Sequence, residues 1–544
     1  MSSFTPEPLL QQGPAPARES RPANASVAEE VEIKLRLPPG LAARLKRSAV
    51  LRSLARGRGR TRHLLSVYFD TPRFELRSAG AALRIRHIGQ RRIQTIKLPI
   101  GGPTGLQTLR EIECDVRSDG PDLTQVSDEE IKTWLQSPAI AGALAPVFTT
   151  EFKRTVWPIV LHESEIEMAL DLGEVRAGER RVPIGEVELE LKSGKPARLV
   201  ELALLLHHEI PVAWEHETKA ARGYRLAVDQ VPQPERARAI AINPAMSARL
   251  AFVAIAQACL RHIRANEGCA RLGQDPEGVH QFRVGVRRLR ALVGAYRKEI
   301  VVEFTNYLAR ELDWLQTQCG AARDWDVFIS DSLERLHARL PGDPAVSAML
   351  RAASALRDES YVGLRATLDE PRYTELLLRL ELALIDGSWS TQTDVGSASL
   401  DRPVAEFATS VLGKRYKKLR AIGGKRADLP EQDLHRLRIA GKKLRYTAEF
   451  FRGLYTKKAA SKFIAALADV QDHLGSLNDA LVSQQLLLSL EGRIANGNDI
   501  EAARHASGMI LGWQAARTDH DLAKLASIWR KLRDRSPFWT KDLP

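Results

Sequence analysis
The period of the apolar pattern changes once along the 544 residues, and that change constrains the fold more than any other feature. From about residue 30 to 191, short runs alternate apolar and charged. Examples are Val31-Glu32-Ile33-Lys34-Leu35, Leu83-Arg84-Ile85-Arg86 and Glu186-Val187-Glu188-Leu189-Glu190-Leu191. Period two belongs to strands with one charged and one apolar face. Gly101-Gly102-Pro103, Gly173 and Gly178 punctuate these runs. Helical stretches are expected at 41–55, 127–136 and 197–208. Val231-Pro232-Gln233-Pro234-Glu235 opens a linker over 231–245, and beyond it helical spacing runs to about residue 530. The expected class is α+β, with an antiparallel strand-rich part over 29–230 and an all-α part over 246–530. Residues 1–28, rich in Pro, Ala, Ser and Gln, read as a disordered tail.

The all-α part is duplicated. Val279-His280-x-x-Arg283-Val284-x-x-Arg287-Arg288-Leu289-Arg290 returns 155 residues later as Leu434-His435-x-x-Arg438-Ile439-x-x-Lys442-Lys443-Leu444-Arg445. Gly320-x-x-x-Asp324 and Gly475-x-x-x-Asp479 keep the same offset. A unit this long is a duplicated domain, not a solenoid repeat. The halves are expected at about 246–386 and 400–530, with a break at 387–399.

On a helix His280, Arg283, Arg287 and Arg290 fall within an arc of about 80°. Phe282, Val286, Leu289 and Val293 oppose them. His435, Arg438, Lys442 and Arg445 form the same face in the second half, opposite Leu437, Leu444, Ala448 and Phe451. A run of charge is usually a solvated face. Stacked like charges cost helix stability, however, unless an anion compensates, and this face occurs twice. The charge balance agrees: residues 1–230 hold 33 basic and 30 acidic side chains, the remainder 47 and 37. The helical part therefore suits an anionic partner. No aromatic platform interleaves with the cations, which disfavours base stacking on single-stranded nucleic acid.

In the strand-rich part, Glu30-x-Glu32-x-Lys34 and Glu186-x-Glu188-x-Glu190 each put carboxylates on one strand face. Oxygen-rich clusters suit Mg²⁺ or Mn²⁺. Arg84 and Arg86 share another face, and Lys97, Arg110 and Arg154 follow. Acidic strands for metal and basic strands for phosphate oxygens would make a phosphoryl-transfer site. The alternative, charge in water and apolar inside, remains open, because alternation alone does not say which face points inward.

No run of about 18 apolar residues occurs, so no membrane span is expected. The cysteines Cys114, Cys259, Cys269 and Cys319 form no C-x-x-C pair. With no secretory signal visible, they fit a reducing compartment.

Two ordered motif sets resemble known families. Glu30-x-Glu32-x-Lys34, Tyr68-Phe69-Asp70-Thr71, Leu83-Arg84-Ile85-Arg86, Thr95-Ile96-Lys97, Phe152-Lys153-Arg154, Ala169-Leu170-Asp171-x-Gly173, Glu186-Val187-Glu188-Leu189-Glu190 and Lys219-Ala220-Ala221-Arg222-Gly223-Tyr224 resemble CYTH domains, the triphosphate tunnel metalloenzymes. The two His-containing helices resemble CHAD domains. The resemblance implies an eight-stranded antiparallel β-barrel tunnel with flanking helices, followed by two duplicated helical bundles. It implies a bacterial, cytoplasmic phosphoric anhydride hydrolase that cleaves inorganic triphosphate with Mg²⁺ or Mn²⁺, and association with polyphosphate granules.

On that resemblance Glu30, Glu32 and Lys34 are catalytic, and Glu30, Glu32, Glu186, Glu188 and Glu190 hold metal. Arg84, Arg86, Lys97, Arg154 and Lys219 bind substrate. His280, Arg283, Arg287, Arg288, Arg290, His435, Arg438, Lys442, Lys443 and Arg445 bind inorganic polyphosphate. Arg110 departs from the family pattern, and Asp171 either orients metal water or shapes the turn before Gly173. Neither a membrane nor a specific nucleic acid is an expected partner. The rivals are an adenylate cyclase or a nucleotide or thiamine triphosphatase on the same fold, and a polyphosphate-binding protein with an inactive barrel.

Overall fold
The computed structural model describes residues 25–100, 106–390, 399–424, 430–494 and 500–540. Among the described residues nine strands come first: β1 (Ala25–Arg36), β2 (Arg60–Asp70), β3 (Ala82–Ile88), β4 (Arg91–Pro99), β5 (Gln107–Val116), β6 (Ala145–Leu161), β7 (Ser164–Ala177), β8 (Arg180–Ser193) and β9 (Ala213–Glu215). Antiparallel pairing runs β5-β4-β3-β2-β6-β7-β8-β1, and β1 pairs back onto β5, which closes an eight-stranded barrel. The short β9 joins β1 where β5 ends: Glu32 lies opposite Gln107, and Lys34 opposite Glu215. β1 begins at Ala25, opposite Cys114, ahead of the expected edge at 29. Residues 1–24 of the expected tail lie outside the described residues.

The outer surface of the barrel is apolar and covered. Ile33, Leu35, Val187 and Leu189 share a core with Leu199, Leu202 and Leu206 of the helix Ala197–Glu209. Leu83, Ile85, Ile96 and Ile112 share a second core with Leu76 and with Leu135 of the helix Glu129–Leu135. Each such side chain contributes about 1.5–3 kcal/mol on burial. Because strand neighbours alternate sides, covering these residues turns Glu32, Lys34, Glu188 and Arg84 inward. The expected helical stretch 41–55 is two short helices, Ala42–Lys46 and Ala49–Leu54. They are divided at Ser48, whose Oγ accepts from the Leu51 N–H and caps the second helix.

Residues 230–243 form neither helix nor strand. This segment is fastened to the helix Ala248–Leu272: the Glu235 N–H donates to Asn266 Oδ1 at 2.8 Å, and Asn266 Nδ2 donates to the Glu235 carbonyl at 2.9 Å. The remainder of the described chain is helical. The basic motifs lie on the helices Pro276–Ala295 and Glu431–Phe451. Of the expected break at 387–399, Trp389 is buried and stacks on Phe252 with centroids 4.0 Å apart, while 391–398 lie outside the described residues. The helical core extends past residue 530 to Phe538 and Trp539, which pack on Phe463. Among the described residues, no helix is long and apolar enough to cross a membrane.

Candidate active site in the barrel and basic face on the helices
A cavity of about 930 Å³ lies inside the barrel and is lined by charged side chains. The β1–β8 register sets Glu32 opposite Glu190 and Lys34 opposite Glu188. Lys34 Nζ lies 3.0 Å from Glu188 and also pairs with Glu32. Lys97 Nζ lies 2.5 Å from Glu30. Burial raises the Glu32 carboxyl above the usual range, Lys34 opposing and Glu188 reinforcing the shift. Burial alone would also raise Glu188, but Lys219, Lys34 and Arg154 outweigh it and hold that group well below its usual value. Glu190 is raised by burial, and the nearby Glu30 and Glu167 add to the effect.

The helix Lys219–Ala227, capped by Thr218, brings a cation into the barrel wall. Lys219 Nζ lies 2.7 Å from Asp171 and 2.9 Å from Glu188, and pairs with Glu186 as well. Oxygens of Asp171, Glu186 and Glu188 come within 4.8 Å of one another. Glu186 is 1% exposed and also pairs with Arg222. Held by Lys219 and Arg222, it is not part of the cavity lining, which Glu30, Glu32, Glu188 and Glu190 supply. Those four carboxylates are oxygen donors of the kind a hard divalent cation takes, whereas the oxygens that come within 4.8 Å of one another, on Asp171, Glu186 and Glu188, already hold Lys219. Asp171 lies within β7, not at a turn, and receives Arg154 through Nε at 2.8 Å and Nη2 at 2.6 Å.

The expected substrate cations differ in how fully they are occupied. Arg154 gives Nε and Nη2 to Asp171 and Glu188, and its Nη1 has no carboxylate partner among the described residues. Arg84 approaches Tyr68 at 3.5 Å and Glu111 at 3.4 Å. Arg86 has no carboxylate within ion-pair distance among the described residues. Burial, then Arg84 and Arg154, pushes its guanidinium down to about 10. A desolvated cation among cations gains from an anion and from little else. Arg110 and Glu111 face opposite ways, as strand neighbours must: Arg110 pairs with Asp128 outside, and Glu111 lines the cavity 3.3 Å from Lys97. Sequence reasoning did not place Tyr68, Glu111, Glu113 or Arg222 at the site. The parity of β5 with Lys97, opposite Glu111, is the signal that reveals two of them.

On the helices, six of the ten expected polyphosphate residues converge. Arg287 Nε donates to the Tyr446 hydroxyl at 3.1 Å, joining the two basic helices. Burial, then Arg438, Arg287 and Arg445, brings the Lys442 ammonium down to about 7. Burial, then Arg323, holds His280 down at about 4, with Arg287 and Arg283 contributing. The repeated aspartates lie within the same group: Asp324 faces Arg283, Asp479 faces Arg438 and Lys442, and burial raises both carboxyls.

The other four lie apart. Arg290 pairs with Asp313 at 2.9 Å, and Lys443 is exposed. Arg288 is 4% exposed and lies over the Phe450 ring, away from the face. His435 is exposed where its counterpart His280 is partly buried. Arg323, on the helix Gly320–Phe328, was not foreseen, because the motif it belongs to drew attention only to Gly320 and Asp324.

A mixed-charge tunnel in a closed barrel, followed by paired basic helices, defines a recognisable class. Residues 28–224 match the CYTH domain and residues 254–488 the CHAD domain, so the chain carries a CYTH domain followed by a CHAD domain. It is similar to an inorganic triphosphatase of Haemophilus influenzae, 30% identical over 203 residues that cover 37% of this chain and 56% of the relative. An uncharacterized protein of Mycobacterium tuberculosis is 26% identical over 221 residues, covering 40% of this chain and 42% of the relative. The chain thus spans about half the length of these curated relatives. Among solved structures, the CHAD domain from the plant Ricinus communis is 32% identical, with a TM-score of 0.49, covering 56% of this chain and 99% of that one.

Proposed function
We propose that the barrel is a divalent-metal-dependent hydrolase of inorganic triphosphate, and that the helical face holds inorganic polyphosphate. The observation that carries the first part is Arg86. It is half-buried beside the cations Arg84 and Arg154, lacks a carboxylate partner among the described residues, and faces the same cavity as the acidic β1 and β8. Arg84, Arg86, Lys97 and Arg154 bind the phosphate oxygens, and each charge-assisted hydrogen bond contributes about 1.5–3 kcal/mol. Lys34, held between Glu32 and Glu188, is shifted well above its usual range and stays protonated beside the substrate. Glu30, Glu32, Glu188 and Glu190 are the residues that would hold Mg²⁺ or Mn²⁺. Such an ion supplies neutralisation of the transferring phosphoryl group. Lys219 is too fully engaged by three carboxylates to serve mainly as a substrate ligand. The similarity to a relative named inorganic triphosphatase supports this reading.

The polyphosphate part rests on the convergence of Arg283, Arg287, Arg438, Lys442 and Arg445 on one face. Four buried free cysteines suit a reducing compartment, and the proposed setting is the cytoplasm, at polyphosphate granules. The test is phosphate release from tripolyphosphate with Mg²⁺ or Mn²⁺, run beside EDTA, ATP and thiamine triphosphate. Metal-dependent release from tripolyphosphate with the other two nearly inert is expected. Faster release from ATP or thiamine triphosphate overturns the substrate, and no release from any of them overturns the activity.

A further inference from the structure
Between Glu32 and Asp70 the chain contains no acidic residue, and β2 is entered through Arg56-Gly57-Arg58-Gly59-Arg60-Thr61-Arg62. This run is seated on β6. Ala55 bridges Ile159, and the Arg56 N–H donates to the Pro158 carbonyl at 2.8 Å. Gly59 packs closely against Trp157, where a Cβ would come within 2.5 Å of the indole. In register, Arg62 stands opposite Arg154 and Arg60 opposite Val156. Residues directly opposite share a sheet face, so Arg62 continues the row of Arg154. Arg60, two residues on, extends that row by about 7 Å.

These arginines line a cavity of about 880 Å³ that shares Arg86 and Arg154 with the inner one. It is the inner cavity's outer mouth. Glu165 and Glu167 are the acids that line it, facing a larger number of arginines. Arg56, Arg58, Arg60 and Arg62 are exposed and have no carboxylate at ion-pair distance among the described residues. An exposed arginine is usually just solvated. Here the spacing, the seating on β6 and the continuity with Arg86 build a single row of cations leading out of the barrel.

We propose that this mouth is a second phosphate-binding segment, which takes the phosphates of a linear polyphosphate chain beyond those held by Arg84, Arg86 and Arg154. The proposal rests on the reading of the barrel as a triphosphate site and extends its substrate class to longer chains. Repulsion along the arginine row is relieved when a polyanion lies on it.

The test compares kcat/KM of the full chain for medium-chain polyphosphate and for tripolyphosphate. The variants are Arg58→Ser/Arg60→Ser/Arg62→Ser and Arg58→Lys/Arg60→Lys/Arg62→Lys. The long-to-short ratio is expected to fall about tenfold in the serine variant and to recover largely in the lysine variant. An unchanged ratio in the serine variant overturns the proposal. If the wild type releases phosphate from neither substrate, the triphosphatase reading fails, and the mouth is judged by calorimetry instead. Polyphosphate is then titrated into protein carrying Arg287→Ala and Lys442→Ala, so that the helical face does not dominate. The serine substitutions are expected to weaken binding about tenfold, and a change within about twofold overturns the proposal.

Discussion

Lys219 Nζ lies 2.7 Å from Asp171 Oδ2, and the same ammonium also meets Glu186 and Glu188. Asp171 and Glu186 are almost fully buried, so removing this cation leaves charges that water cannot reach. Lys219→Met is expected to cost roughly 3–5 kcal/mol in urea unfolding at pH 7. Asp171 and Glu188 have folded pKa values below their unfolded ones. Their contribution is therefore present above about pH 4 and lost as pH falls. The gap between variant and wild type should accordingly narrow on acidification. A loss independent of pH would show that packing, not charge, is what Lys219 supplies.

How much of this was legible beforehand depends on what alternation encodes. It separates Glu32 and Lys34 from Ile33 and Leu35 but does not orient them. The direction comes from the helix Ala197–Glu209, which buries Ile33 and Leu35 from outside. The acidic wall was half visible: Glu188 and Glu190 line the cavity, while Glu186, in the same alternating run, is claimed by Lys219 and Arg222 from a helix more than thirty residues downstream. The helical face was read from spacing within one helix. That reasoning finds Arg283 and Arg287, but it does not supply Arg323 from a neighbouring helix. Nor does it show that Arg288 turns inward onto Phe450.

Arg86 separates binding from stability. It is half-buried beside Arg84 and Arg154 and has no carboxylate partner among the described residues. Arg86→Met should leave the free protein as stable as wild type or more so, since it removes a desolvated like charge. The same change should lower kcat/KM for tripolyphosphate about 10- to 100-fold, the loss of one charge-assisted contact. Denaturation and kinetics on the one variant check both halves. A drop in stability would reveal a partner for Arg86.

Gly223 is required by the aromatic packing beneath the helix Lys219–Ala227. A Cβ there would lie 2.1 Å from the Phe148 ring. That ring is fixed by stacking on Tyr68 at 4.4 Å and by an edge contact with Tyr224 at 5.0 Å. Gly223→Ala is expected to destabilise by about 1–3 kcal/mol. Gly508, in the helix Ile500–Arg533, has open space where a Cβ would go. Gly508→Ala should instead stabilise by up to about 1 kcal/mol. Thermal or urea melts of the two variants test the contrast.

Lys442 sets the pH response of the helical face. Its ammonium is brought down to about 7 by burial and by Arg438, Arg287 and Arg445, with Asp479 opposing. Arg438 and Arg445 share its helix, Arg287 comes from the other basic helix, and Asp479 from the helix Lys457–Ile494. In the free protein the folded pKa lies below the unfolded value near 10.4, so this group adds stability as pH rises from about 7 toward 10. A bound polyanion favours the charged form and reverses the preference. Binding therefore takes up a proton, and affinity should fall as pH rises through the same window. His280, held near 4, stays neutral across it in the free protein. Calorimetric titrations with polyphosphate at pH 6 to 9 and constant ionic strength should show a fall of about tenfold or more, one pKa unit being tenfold. Lys442→Arg keeps its charge throughout and should flatten the profile to within about twofold. Equal slopes for the two proteins would move the titrating group elsewhere on the face.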